Sequence, residues 1–180
     1  QSGYPMGSAF GMQTGRFPES ETGLALDLAI LEQDEKVPGE PLPFEEMEKA
    51  FWEKAPLFGF IRDKEKEKRL AERLGKGKIK SGRFFGSLRY VGYPHSRIIT
   101  DKGLALEEYL EYLRWFSPDK PLVYPAGEGR GNYEISYLAA PKKDEAPALA
   151  ASLTAAAGEA EIAVSGDNKA GFIITIKRGI

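Results

Sequence analysis

A stretch that is basic, aromatic and repeatedly broken by glycine occupies the middle of the chain. From Lys76 to Lys102 seven cationic side chains face Asp101 alone, a local charge of +6 in a chain whose total is −2. Gly82, Gly86 and Gly92 fall inside it. Each glycine in a helix interior costs about 1 kcal/mol relative to alanine, which argues against a long regular helix here. A hairpin, or a loop with strand pieces ending in Arg97–Thr100, is expected instead. Phe84, Phe85, Tyr90 and Tyr93 are interleaved with the charges, and the sole histidine, His95, lies in the turn signal from Gly92 to Arg97. A segment of this kind is expected to meet an anionic surface.

The rest of the chain sets the fold class. At 180 residues, 42% of them hydrophobic, it is long enough to bury a core. Residues 1–43 are rich in glycine and proline and carry seven acidic side chains against Arg16 and Lys36. They read as an extended N-terminal arm and linker before one α+β domain over 44–180. Within the arm, Leu24, Leu26, Leu28 and Ile30 alternate at strand period in helix-compatible composition, and the pattern leaves strand and helix both open.

Helices are expected at Phe44–Lys54, behind Pro43, and at Asp63–Leu74, with Asp63 as N-cap and Gly75 as stop. A third is expected from Thr100 or Asp101 to Ser117, on the face formed by Leu106, Tyr109, Leu110 and Leu113. An alanine-rich helix over about 144–157 follows. Strands are expected at Leu122–Tyr124, Tyr133–Leu138, Glu161–Val164 and Gly171–Lys177, the last two joined by a turn at Gly166–Asn168. The order gives α+β: a small antiparallel or mixed sheet with three to four helices.

Several chemistries are excluded outright. There is no cysteine, so disulfides, thiolate metal sites and cysteine nucleophiles are absent. With one histidine, a metal could be held only through carboxylates, and no calcium-loop spacing is present; neither a metal site nor a cofactor is expected. The loop from Gly127 to Gly131 is not a phosphate-binding motif, because a strand rather than a helix follows it. Ser81, Ser87 and Ser96 lack the G-x-S-x-G surroundings of a hydrolase nucleophile. No apolar run reaches the roughly 20 residues that span a bilayer.

Three functional readings follow. The leading one is a non-enzymatic interaction protein, an accessory or assembly subunit, docking on an acidic protein surface or larger complex. Its contacts would be Lys76, Lys78, Lys80, Arg83, Phe85, Arg89, Tyr93, Arg97 and Arg130, with the arm as a second contact. The second rests on a resemblance. Ile98–Leu106 resembles the passage from wing to last helix in winged-helix DNA-binding domains, which implies a recognition helix over Lys78–Val91 and nucleic acid as partner. The third is an enzyme using His95 or a carboxylate. The start at Gln1 fits either an arbitrary boundary or removal of a leader. A leader would make the chain extracytoplasmic or organellar, for instance plastid; otherwise it would be cytoplasmic.

Overall fold

The computed structural model describes residues 24–31, 44–74, 78–79, 82–127, 131–140, 155, 158–167 and 171–179. Two small sheets and four α-helices make an α+β architecture among these residues. The chain divides into two compact units: residues 1–52 with 62–91, and residues 53–61 with 92–180.

In the first unit the alternating leucines resolve as strand β1, Ala25–Leu31, so part of the segment read as an arm belongs to a sheet. Its partner is β4, Gly82–Tyr90, which is antiparallel to it and carries a register shift between Leu28 and Ala29. The short strand β3, Lys78–Ile79, pairs antiparallel with the start of β4, and the sheet has the order β1-β4-β2, where Arg62 of β2, Phe60–Arg62, belongs to this unit. In the region implied as a recognition helix by the winged-helix resemblance, residues 78–79 and 82–90 are therefore strand. Glycine weakens a helix there, while Phe84, Phe85, Leu88 and Tyr90 suit a pleated surface.

Helix α1, Phe44–Lys54, lays its aromatic residues on this sheet. Phe85 is 7% exposed, in edge contact with Phe51 at 4.9 Å and stacked on Trp52 at 5.8 Å. Helix α2, Lys64–Leu74, begins where the Asp63 carboxylate accepts the Lys66 backbone N–H at 2.9 Å, the expected cap.

The second unit holds a four-stranded antiparallel sheet of order β5-β6-β8-β7, from Leu122–Pro125, Asn132–Ala139, Gly171–Arg178 and Glu161–Gly166. All four expected strands are present. Cross-strand pairs share a face, so Ile174 and Ile176 of β8 form one apolar cluster with Leu138, Ala160 and Ile162. Ile135 and Ile173, on the opposite face, are also buried.

The expected single helix after Thr100 is two. Helix α3 runs His95–Lys102 and α4 runs Leu106–Leu113. Gly103, at φ +64°, ends the first in the left-handed conformation and accounts for the break. Arg97–Thr100, expected as strand, lies inside α3 because Ile98 and Ile99 supply its buried side. The Ser96 hydroxyl anchors α3 by donating to the Pro56 carbonyl at 2.7 Å. The alanine-rich helix expected over 144–157 and the loop residues 128–130 fall outside the described residues, save position 155.

Candidate functional site

The register of β1 on β4 places Asp27 directly opposite Ser87. Cross-strand neighbours at such a position lie close enough for their side chains to meet. Here the Ser87 hydroxyl donates to Asp27 Oδ1 at 2.6 Å. Lys66, one turn into α2, brings its ammonium to the same oxygen at 2.9 Å. The next residue, Glu67, accepts the Ser87 backbone N–H at 3.0 Å and holds Arg62 Nε with both carboxylate oxygens at 2.9 Å. Arg89, two residues along β4, pairs with Asp63 Oδ2 at 3.5 Å. Strands β1, β4 and β2 and the start of helix α2 thus gather three carboxylates, three cations and a hydroxyl.

Aromatic packing frames this polar centre. The Arg62 guanidinium lies 4.8 Å from the centroid of the Trp52 ring. Gly86, adjacent to Ser87 and at φ +155°, makes room for that ring: a Cβ there would sit 2.5 Å from Trp52 and 2.7 Å from Glu67 Oε1. Glycine is required by backbone and space together. Within the centre, solvent reaches the groups unequally. Ser87 is wholly buried, the Lys66 side chain is 24% exposed and that of Asp27 is 41% exposed. Asp27 is therefore the carboxylate best placed to meet a solute and a water molecule.

His95 is the opposite case. The expected surface turn residue is the first residue of α3, with Nδ1 2.7 Å from the Tyr109 hydroxyl and Nε2 2.9 Å from Thr175 Oγ1. Both ring nitrogens are hydrogen-bonded inside the second unit. Burial lowers its pKa from 6.5 to about 4, which keeps it neutral near pH 7. Burial raises the Tyr109 hydroxyl well above its ordinary value, with a further contribution from Tyr112. This is a structural bridge between α3, α4 and β8.

The described residues read as a docking surface fall in both units. Phe85 is a core ring rather than a surface contact, because α1 covers it. Lys78 and Arg83 are backbone register partners between β3 and β4. Arg89 pairs with Asp63, in the first unit. Arg97 pairs with Asp101 at 3.1 Å, and Tyr93 meets the edge of Tyr133, both in the second unit. Lys76, Lys80 and Arg130 lie outside the described residues. Asp27, Lys66 and Glu67 were not legible as a site. The one local hint is a charged residue, Asp27, within an alternating apolar strand.

No family model matches the sequence, and no curated protein matches it. Among solved structures, the fold resembles that of a D,D-dipeptidase, an enzyme. The particular structure is the vancomycin-resistance D,D-dipeptidase VanXYg in complex with a D-Ala-D-Ala phosphinate analogue, 26% identical with a TM-score of 0.59. The match covers 89% of this chain and 58% of that one, so the chain spans little more than half of its structural neighbour. This finding overturns the expectation of a non-enzymatic accessory or assembly subunit.

Proposed function

We propose that the chain is a peptide hydrolase of the D,D-dipeptidase kind, acting on peptides that end in D-Ala-D-Ala, with the polar centre of the first unit as its reactive site. The observation that carries this reading is the structural likeness over 89% of the chain to an enzyme of that class. Asp27 is the proposed general base. A water oxygen bonds to the peptide carbonyl carbon as its proton passes to the Asp27 carboxylate. The carbon–nitrogen bond then breaks as that proton is handed to the departing amine, leaving a carboxylate and a free D-alanine. Ser87 and Lys66, both on Asp27 Oδ1, fix the orientation of the carboxylate.

A positioned general base contributes roughly 10²–10⁴-fold to such a reaction. Asp27→Asn keeps the shape and the ability to accept from Ser87 but cannot take the proton. Its turnover of D-Ala-D-Ala is expected to fall by that factor, while a phosphinate analogue of the dipeptide still binds by calorimetry. Full turnover in Asp27→Asn would remove Asp27 from the mechanism. No binding of the analogue by the wild-type chain would count against the substrate class itself.

A further inference from the structure

The cations of the polar centre have a consequence for what else can bind there. Asp27 Oδ1 accepts from Ser87 at 2.6 Å and pairs with the Lys66 ammonium at 2.9 Å. Both oxygens of Glu67 are 2.9 Å from Arg62 Nε, and Oε1 also takes the Ser87 N–H. Asp63 caps α2 with Oδ1 and faces Arg89 with Oδ2. Each of the three carboxylates is already compensated by a protein cation. Nitrogen and sulfur donors cannot replace them. The chain has no cysteine, and its one histidine has both ring nitrogens hydrogen-bonded within the second unit. Among the described residues, no three of His, Cys, Asp and Glu are grouped to hold a metal ion.

We infer that the residues of this centre do not fit a divalent metal ion, and that the Lys66 ammonium on Asp27 supplies the charge that excludes one. The inference deepens the proposed function and rests on its placement of the reactive site. A fixed ammonium on Asp27 Oδ1 supplies positive charge without a loading step, and it competes directly with any metal ion for the same lone pairs.

The test is Mn²⁺ binding to chelator-treated protein, followed by calorimetry and by the electron paramagnetic resonance signal of the free ion. The wild-type chain is expected to show no saturable binding that depends on Asp27. Lys66→Met, which keeps the stem and removes the charge, is expected to bind Mn²⁺ at least tenfold more tightly than wild type. That gain should vanish in Lys66→Met/Asp27→Asn. Lys66→Gln serves in place of the methionine variant should that variant fail to fold. Saturable wild-type binding that Asp27→Asn abolishes would overturn the inference, as would equal Mn²⁺ affinity in the wild-type and Lys66-substituted chains. None of these readouts uses turnover, so a chain that cleaves nothing would sink the proposed activity and leave this inference to its own measurement.

Discussion

His95 shows how much a single residue's surroundings decide. Its ring is desolvated and bridged by Tyr109 and Thr175, so the folded chain binds the proton only near pH 4, whereas the unfolded chain binds it near 6.5. The stabilising contribution is therefore complete above pH 6.5 and is lost progressively as the pH falls toward 4. At about 1.4 kcal/mol per pH unit, it amounts to something on the order of 3 kcal/mol. Urea melts at pH 7 and pH 4.5 should show this loss in the wild type and a flatter dependence in His95→Asn; parallel curves would remove His95 as the source. Gly86 is the second decisive residue. Gly86→Ala drives a methyl into Trp52 and Glu67 at a positive φ and should destabilise the first unit by roughly 1–3 kcal/mol in the same assay. Neither residue's surroundings could be read from local sequence. A glycine or histidine in a turn signal has the same spelling whether a ring from another element covers it or water does.

At the scale of elements, legibility followed locality. Helices α1 and α2 and the four strands of the second unit were readable from period, caps and breakers, because their determinants lie within a few residues. The Asp63 cap is one such determinant. Asp63→Ala should cost roughly 0.5–2 kcal/mol in α2, with an added loss from the Arg89 pair, measured by chemical denaturation. The polar centre was not readable in this way. Asp27 and Ser87 stand 60 residues apart in sequence and meet only through the β1–β4 register, which no local pattern displays. The same dependence on tertiary packing hid Phe85. Surrounded in sequence by Arg83 and Arg89, it reads as a docking aromatic, yet in the fold it is pressed between Phe51 and Trp52. Phe85→Ala should destabilise by about 3–5 kcal/mol, as a core ring does; a loss under about 1 kcal/mol would return Phe85 to the surface.

At the scale of the whole molecule, charge asymmetry pointed toward docking, and the fold pointed elsewhere. The basic stretch is divided between two compact units, and two of its arginines, Arg89 and Arg97, are paired with Asp63 and Asp101. Two of its seven cations are thus engaged by acidic residues placed by the fold. What remained invisible in the sequence was the likeness to a D,D-dipeptidase structure, since no family model matches and the likeness is in the path of the backbone. The central claim is that this backbone and its polar centre cleave D,D-peptides. The most direct measurement is release of free alanine from D-Ala-D-Ala and from L-Ala-L-Ala by the wild-type and Asp27→Asn chains. The account predicts D-alanine release from the D,D-dipeptide, none from its mirror image, and a roughly 10²–10⁴-fold loss in Asp27→Asn. No release from D-Ala-D-Ala by a chain that is shown to be folded would contradict it.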